Sequence, residues 1–343
     1  MKFVCPLLSA LCLLAGPGHA PAASVNGQNY VALADWARGN GFYGFTSNRG
    51  TEIVLTNRTA RLVFNVDSHD VEINGVNVRL SFPVANQKGT PFISQLDVET
   101  AIRPLIFPPK KNAGKITTVC LDPGHGGKDT GNRVGGFFGH SEKTCTLALA
   151  LELRDQLQRA GFNVILTRAQ DEYVKLPARP ETANRRGADL FVSLHFNAFP
   201  ADPKSVEGAE TYCITPVGAA SSNAQGEGAD YGATPANRNE NRSLLLAYQV
   251  QRALVRNLGA ADRCVRRARF EVLRSAEMPA VLIEGGYMSH PAEGKKIFDS
   301  AYRRQMAAAI VRGILAYQKL TATPTPKTSP ADTNKVFGVN RAR

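Results

Sequence analysis

Four ionisable side chains in this sequence have the types and the settings expected of a hydrolytic metal site. His125 lies in the glycine-rich stretch LDPGHGGKDTGN, and His195 follows the apolar run DLFVSL. Glu284 ends the run AVLIE, and Glu142 opens a long amphipathic stretch just after the glycine loop. Two imidazoles and one carboxylate form a common catalytic zinc set, with a fourth position open for water. We therefore predict that His125, Glu142 and His195 bind one Zn²⁺ per chain.

The remaining carboxylate, Glu284, has a different predicted role. Zinc lowers the pKa of a bound water towards about 7 and polarises a substrate carbonyl, and a further group is then needed to move protons. Glu284 is placed to take the proton of the water and pass it to the leaving nitrogen. Gly285 and Gly286 leave room for an extended substrate beside it. A carboxylate directly after four apolar residues is also costly to bury without a task or a partner.

Each of these residues has a structural explanation as well. His125 could be a turn residue, Glu142 could favour a helix start through the helix dipole, and His195 could be a buried histidine with satisfied hydrogen bonds. The glycine loop could instead cradle a phosphate, but it lacks the G-K-[ST] order of such loops. We interpret two further histidines, His140 and His290, as surface or supporting residues.

The elements that must position the four residues alternate between strand and helix from Ile116 to about Leu320. The predicted strands are ITTVCL, FNVILTR, DLFVSLHF, AETYCI and AVLIE, and the predicted helices are EKTCTLALALELRDQLQRAG, PETANRRGA, SLLLAYQVQRALVRNLG and SAYRRQMAAAIVRGILAYQKL. This order predicts an α/β fold: a largely parallel or mixed twisted sheet with helices on both faces. Because sites in open α/β sheets form at the carboxyl ends of strands, we expect the four residues to converge on one edge.

A small β-rich segment precedes this unit. Short alternating runs such as TEIVLT, ARLVFNV and VNVRL predict strands, and Asn74-Gly75 between two such runs predicts a hairpin. Helical turns are predicted in YVALADWARGNG and SQLDVETAI. We find no convergent set of histidine, cysteine and carboxylate residues in this segment. The stretch FPPKKNAGK, with two prolines and three lysines, predicts a linker after it.

The amino terminus and the net charge indicate where the protein acts and what kind of partner it binds. Lys2, the apolar run FVCPLLSALCLLA and the small residues after it predict an export signal, cut after Ala20 or Ala23. No later run is long and apolar enough to predict a transmembrane segment. The formal net charge of +12 suits an anionic partner. No nucleic-acid-binding motif accompanies that charge, so nucleic acid is not an expected partner.

Four cysteines follow the predicted signal: Cys120, Cys145, Cys213 and Cys264. None has the C-x-x-C spacing of a zinc or redox pair. Disulfides are permitted outside the cytosol, and four cysteines allow three pairings. We interpret the four as buried small apolar side chains and leave one bridge open.

The segment from Ile116 to Leu320 resembles the zinc-dependent N-acetylmuramoyl-L-alanine amidases of the amidase-3 family. The matching motifs are LDPGHGGKDTGN, SEKTCTLALALELRDQL, GFNVILTR, ANRRGADLFVSLHFNAF, FEVLR and MPAVLIEGGYMSHP. The resemblance implies a hydrolase that cuts the amide between the lactyl group of N-acetylmuramic acid and L-alanine in peptidoglycan. It places the family's zinc ligands on His125, Glu142 and His195 and its catalytic glutamate on Glu284. Peptidoglycan is then the expected partner, and an activator protein is a further candidate partner.

The chain departs from the family pattern in a few places. Tyr287 and His290 stand where the family usually has phenylalanine and asparagine, which affects the expected specificity more than the activity. Some family members carry an inhibitory helix inserted in the catalytic domain. The stretch 215–243 lies in a comparable place but has no apolar periodicity, so we expect a mobile loop. The amino-terminal segment resembles, more loosely, the copper amine oxidase N-terminal-like stalk domain, and no copper site follows from that likeness.

These observations divide the chain into five predicted parts. Residues 1–20 form a signal peptide, 24–107 a small β-rich wall-binding or stalk-like domain, and 108–115 a linker. Residues 116–320 form the zinc amidase catalytic domain, which the linker predicts to be separable, and 321–343 form a disordered basic tail. The protein is expected to be exported, periplasmic or associated with the cell wall. Two other functions stay open: a zinc peptidase acting within the stem peptide, and a wall-binding protein without catalysis. The residues that bind substrate are not identified.

Overall fold

The computed structural model describes residues 22–25, 27–48, 51–108, 116–135, 140–222 and 232–322. The predicted signal peptide, nearly all of the predicted linker and the predicted tail beyond residue 322 lie outside the described residues. The same holds for residues 223–231 of the predicted mobile loop. The end of that stretch is helical rather than loop, because a 3-10 helix covers Pro235–Asn239 and an α-helix begins at Glu240.

Strands make up the amino-terminal part and alternate with helices in the rest. In chain order they are β1 (Ala22–Val25), β2 (Gln28–Ala32), β3 (Gly44–Asn48), β4 (Glu52–Thr56), β5 (Arg61–Asn65), β6 (Asp70–Ile73), β7 (Val76–Arg79), β8 (Ala85–Gln87), β9 (Thr90–Ser94), β10 (Thr118–Pro123), β11 (Arg133–Val134), β12 (His140–Ser141), β13 (Asn163–Leu166), β14 (Leu190–Asn197), β15 (Ala209–Cys213), β16 (Asp262–Arg267) and β17 (Ala280–Tyr287).

The helices are α1 (Leu33–Gly39), α2 (Gln95–Asp97), α3 (Arg103–Ile106), α4 (Glu142–Arg159), α5 (Ala178–Arg185), α6 (Glu240–Ala253), α7 (Glu271–Arg274), α8 (Pro291–Phe298) and α9 (Ser300–Thr321). A π-helical segment, Val98–Ile102, joins α2 to α3, and a second, Leu254–Leu258, extends α6. That extension ends at Gly259, whose φ of 70° is a conformation that favours glycine, as the sequence predicts.

A large mixed sheet organises the region from Thr118 onwards. Its order here is β13-β10-β14-β17-β15-β16, with β10, β13, β14 and β17 mutually parallel and β15 antiparallel to β17. One face packs against α4, α6 and α9, and the other packs against α5 and α7. The sequence of β14 is continuously apolar because both of its faces are buried. Val192 and Leu194 pack in the core on the side of α4, α6 and α9, while Phe191 packs in the core on the side of α5 and α7. The predicted mixed α/β sheet with helices on both faces is confirmed.

The amino-terminal strands form a small β-rich region, as predicted. Asn74 and Gly75 connect β6 to β7 with φ values of 50° and 80°, the left-handed pair that a tight hairpin requires. A separate four-stranded sheet has the order β1-β2-β9-β8.

The amino-terminal region also continues the large mixed sheet, which the sequence pattern does not predict. Strand β7 pairs in parallel with β16, so that the sheet runs on through β6, β5, β4 and β3. One apolar cluster contains Val76 and Val78 together with Leu254 and Val265. Hydrogen bonds cross the same junction, from the Tyr248 hydroxyl to a carbonyl of β6 (2.8 Å) among others. The two predicted domains therefore share a sheet and a core, and the predicted independence of residues 116–320 stays a prediction.

Two further predictions concern the cysteines and the membrane. Cys120, Cys145, Cys213 and Cys264 are all buried with free thiols, so the bridge left open does not form among them. Within the part of the chain that the structure describes, no helix has the length and apolar character needed to cross a membrane.

Candidate active site

The loop after β10 turns sharply so that the His125 ring faces the edge of the sheet. His125 has a φ of 61°, and Gly126 and Gly127 follow with φ values of 129° and 56°. Two buried arginines hold this loop through its carbonyl oxygens. Arg168 donates to Pro123 O (2.9 Å), and Arg179 donates to His125 O (2.9 Å) and to the Asp122 carboxylate (2.8 Å). The run of glycines thus permits a backbone path that these arginines stabilise.

Glu142 is the first residue of α4 and is almost completely buried, with 2% of its surface exposed. A helix amino terminus favours a carboxylate through its dipole. Its oxygens accept hydrogen bonds from the backbone N–H (2.9 Å) and side-chain amide (3.0 Å) of Asn132 and from Phe196 N–H (3.0 Å). The carboxylate is thereby held in one orientation.

His195 lies on β14, and its ring meets the other two predicted ligands at the sheet edge. Glu142 Oε1 is 3.0 Å from His195 Nδ1, and Glu142 Oε2 is 3.1 Å from His125 Nε2. Each of the three residues offers one ligand atom, and these atoms all lie within 4.8 Å of one another. The structure therefore brings together the three side chains that the sequence predicts as metal ligands.

Glycine is required at two positions around these side chains. A Cβ added at Gly124 would lie 2.3 Å from the His195 ring. A Cβ added at Gly131, where φ is 60°, would lie 2.6 Å from both Glu142 Oε2 and His125 Cδ2. Any larger residue at either position would displace a predicted ligand.

Asp129 fixes the orientation of the His125 ring. Both of its carboxylate oxygens lie 2.9 Å from His125 Nδ1, and Asp129 also accepts from Gly131 N–H (3.1 Å). Since an ionised carboxylate can only accept, Nδ1 carries a proton, and Nε2, which faces Glu142 Oε2, is the nitrogen that a metal held between the two side chains would use. Carboxylate–histidine pairs of this kind are a regular support of metal sites.

The charges of the site shift the pKa values of its members. Burial alone would lower the pKa of His125, but the hydrogen bonds and charges of Glu142 and Asp129 outweigh burial and raise it. Burial would raise the pKa of Glu142, but its hydrogen bonds to His125 and His195 hold that pKa well below the ordinary value. Glu142 is therefore ionised and available as an anionic ligand.

Glu284 lies on β17, directly opposite His195 in the register of the two parallel strands. Burial, together with the negative charges of Glu142 and Glu210, raises the pKa of Glu284 well above its ordinary value. Its Oε2 atom is buried and has no hydrogen-bond partner among the described residues. An unpaired buried carboxyl oxygen is costly, and such exceptions mark candidate functional groups.

The four residues share one cavity of about 350 Å³. Its polar lining includes His125, Asn132, Glu142, His195 and Glu284, and its apolar lining is Leu176, Phe270, Val272 and Leu282. A concave site with apolar walls and a few convergent polar groups is typical of a ligand site. The chemistry available here is metal-assisted hydrolysis with a carboxyl group as acid or base.

The family model designated Amidase_3, N-acetylmuramoyl-L-alanine amidase, matches residues 119–316 of this chain. That range contains all four candidate residues and more than half of the sequence. The chain belongs to the N-acetylmuramoyl-L-alanine amidase family. The family prediction made from the sequence motifs is therefore confirmed.

Individual amidases show similarity over the same region. The chain is 34% identical over 231 residues to the amidase AmiC of Neisseria meningitidis, covering 61% of this chain and 55% of that protein. It is 34% identical over 234 residues to the amidase AmiA of Salmonella typhimurium, covering 61% of this chain and 79% of the relative. The alignment thus spans about half the length of AmiC and most of AmiA.

Solved amidase structures have the same fold. An N-acetylmuramoyl-L-alanine amidase from Clostridium difficile 630 has a TM-score of 0.50 and 32% identity, covering 60% of this chain and 98% of that one. The CwlD amidase from Clostridioides difficile, solved in complex with the GerS lipoprotein, has a TM-score of 0.50 and 28% identity. That alignment covers 60% of this chain and 99% of CwlD.

The other two histidines near the amidase site do not enter the cavity. His140 is exposed and stacks on Phe298 at 3.9 Å between ring centroids. His290 caps α8, where its ring accepts from Glu293 N–H (3.2 Å). Both positions agree with the interpretation as surface or supporting residues.

Several residues that build the amidase site are not found by the sequence reasoning. They are Asp122, Asp129, Asn132, Arg168, Arg179 and Glu210. Asp129 was within reach of inference, because it follows His125 by four residues in the same motif and metal-binding histidines need such a partner. The arginines carried no local signal, since most arginines are exposed.

Proposed function

We propose that this chain hydrolyses the amide between the lactyl group of N-acetylmuramic acid and L-alanine in peptidoglycan, using one zinc ion. One observation carries the proposal. In a member of the amidase family, three ligand-type side chains converge within 4.8 Å in a cavity that also holds the unpaired carboxyl of Glu284. The finer assignment of each residue is part of the proposal.

The donor set fits zinc. His125, Glu142 and His195 would hold the ion, and two imidazoles with one carboxylate leave a fourth coordination position open. Asp129 and the Asn132 amide already fix the ligand orientations, so little ordering remains to be done on binding. Bound there, zinc would supply a water of lowered pKa, polarise the amide carbonyl and add positive charge beside Glu284.

Glu284 carries the proton transfers in this proposal. It takes a proton from the attacking water as the water adds to the amide carbonyl carbon. It then delivers that proton to the alanine nitrogen as the C–N bond breaks, and the lactyl carboxylate and a free amine are the products. The free Oε2 atom has no competing hydrogen bond among the described residues, which suits a group that must accept and release a proton.

The cavity walls offer apolar surface for binding the substrate. Leu176 and Phe270 contribute apolar surface next to the carboxyl groups, and 48% of Leu176 is exposed. Apolar walls exclude water around the amide and bind the alkyl parts of the lactyl–alanine segment. The named residues are candidates for substrate contact.

Mass spectrometry of purified peptidoglycan after digestion tests the reaction. The expected products are stem peptides with a free alanine amine and glycan with intact lactyl groups, formed only without chelator. Shortened peptides would identify a zinc peptidase instead. Glu284→Gln should retain zinc and lose turnover by about 10²–10⁴-fold. A variant that turns over normally would remove Glu284 from its role.

We further propose that the protein acts outside the cytoplasm and that the amino-terminal region attaches it to the wall. The export signal predicted from the sequence and the proposed peptidoglycan substrate support the first part. The solved CwlD amidase is bound to the GerS lipoprotein, which supports a protein partner for this chain as well. Sedimentation with purified sacculi, compared with a variant altered in the amino-terminal region, tests the attachment.

A further inference from the structure

Glu210 is a second buried carboxylate, and it lies beside Glu284. It is on β15, directly opposite Glu284 in the antiparallel register with β17, and only 2% of it is exposed. Directly opposed residues of an antiparallel pair have Cβ atoms about 4.5–5.5 Å apart and point to the same face. The two carboxyl groups therefore share one local environment.

Their hydrogen-bonding states are opposite. The Glu210 carboxylate accepts hydrogen bonds from the hydroxyls of Tyr212 (2.6 Å) and Tyr287 (2.9 Å). It also pairs with Arg263 Nε (2.7 Å) and Arg266 Nε (3.4 Å). Glu284 Oε2, by contrast, has no partner among the described residues. The donors on this part of the sheet are thus concentrated on Glu210.

The backbone of β16 aims the first arginine at Glu210. The pairing of β15 with β16 shifts register between Ala209 and Thr211, and Cys264 has a φ of 91°, which is unusual for a residue with a side chain. Asp262 fixes this irregular turn by accepting from Cys264 N–H (3.0 Å). The guanidinium of Arg263 also lies over the Tyr287 ring, 5.2 Å from its centroid.

We propose that Glu210 is a positioning residue for Glu284, because it retains the arginines and tyrosine hydroxyls that would otherwise bind the Glu284 carboxylate. The inference rests on the proposed role of Glu284 as acid and base. An arginine without a carboxylate partner forms a strong charge-assisted pair with another carboxylate within reach. A Glu284 bound in that way would have its oxygens occupied and would move protons poorly.

Tyr287 belongs to the same arrangement. Its hydroxyl is the atom that a phenylalanine at this position would lack, and that hydroxyl donates to Glu210 and lies 3.4 Å from the Asn197 amide. This tyrosine adds a donor near Glu284, and Glu210 accepts its hydrogen bond. The chain therefore depends on Glu210 more than a chain with phenylalanine here would.

Glu210→Gln tests the proposal in the full chain loaded with zinc. Turnover should fall by about 10²-fold, near the lower end of what losing a general acid–base group costs. KM and zinc content should stay within about twofold, because the ligands and cavity walls are not altered. The informative step is the double variant Glu210→Gln with Arg263→Gln. Removing Arg263, the nearest arginine that Glu210→Gln releases, should recover at least about tenfold in kcat. A purely structural role of Glu210 predicts a further loss in kcat.

Two reference variants complete the design. Asp97→Asn removes another buried carboxylate, which accepts from Ser81 N–H, Phe82 N–H and the Ser94 hydroxyl and does not line the cavity. It should lower stability and leave kcat unchanged. Glu284→Gln tests the proposed function separately from the positioning role of Glu210. If it stays active, the proposed function fails and this inference fails with it. If it is inactive while Glu210→Gln turns over normally, this inference alone is overturned.

The double variant is the test where Glu210→Gln does not fold, since it also removes Arg263, the nearer of the two arginine charges that Glu210→Gln leaves without a partner. A kcat within about tenfold of the wild type is then expected. A loss as large as that of Glu284→Gln would overturn the proposal.

Discussion

Comparing Gly131→Ala with a control variant should show that glycine at position 131 is needed for zinc binding, beyond its effect on the stability of the fold. At this position φ is 60°, and the added Cβ would meet Glu142 Oε2 and His125 Cδ2 at 2.6 Å. Gly187 is a matched control, because its φ is also 60° but nothing lies within 4 Å of its added Cβ. The two substitutions therefore share the backbone penalty and differ in the contact with the ligands.

The magnitudes follow from these distances. A left-handed conformation costs an alanine about 1–2 kcal/mol relative to glycine, and both variants should lose that much stability in the absence of metal. Ordinary contact begins at 3.4 Å, so the ligands beside Gly131 must move by about 0.8 Å. Glu142 is held by Phe196 N–H and by Asn132 and yields little. We expect Gly131→Ala to weaken zinc binding by at least about 100-fold, the upper end of losses at supporting residues.

Denaturant unfolding of the metal-free protein measures the loss of stability, and competition with a chromogenic chelator measures the loss of zinc affinity. Gly187→Ala should bind zinc as the wild type does. The reasoning is refuted if Gly131→Ala binds zinc within about twofold of the wild type, or if both alanine variants lose affinity equally.

Three further predictions concern the support of the site and the junction. Asp129→Ala should weaken zinc binding by about 10–100-fold in the chelator assay, whereas Asp171→Asn, which alters a carboxylate bound to Lys143 in the same loop cluster, should not. Arg179→Met leaves the buried Asp122 without its charge partner and should cost about 3–5 kcal/mol in denaturant unfolding; a loss below about 1 kcal/mol would contradict the described packing. Deleting residues 24–108 uncovers the edge of β16 and the apolar cluster around Val265, so the shortened protein should aggregate; a monomeric, zinc-loaded fragment would instead support the separable domain predicted from the linker.

Two members of the candidate site, His195 and Glu284, can be predicted from the sequence because each occurs at the end of an apolar run. Runs such as DLFVSLH and AVLIE identify buried strands, and the reactive residue comes where each run stops. Parallel strands bring such residues to one edge, so the convergence of His195 and Glu284 could be predicted without knowing any distance.

Strand β16 could not be found in the same way. Its sequence, DRCVRR, has the composition of an exposed basic segment. Arg267 is nevertheless buried, with its guanidinium donating to the carbonyls of Ile214 (3.2 Å) and Thr100. Those carbonyls come from distant parts of the chain, and no local pattern encodes them. Arg263 and the continuation of the sheet are hidden from sequence reasoning for the same reason, since both belong to β16, the strand with which β7 pairs.

That continuation changes how attachment to the wall would act. Asn77 N–H donates to Asp262 (2.7 Å), the residue before Arg263, and Arg263 holds Glu210, which lies opposite Glu284. The amino-terminal region and the proposed catalytic carboxyl are thus connected through paired strands in addition to the linker segment. A flexible tether raises only the local concentration of an enzyme at its substrate. Because strands of one sheet keep a fixed register, an amino-terminal region bound to the wall would also set the direction in which the cavity meets the glycan.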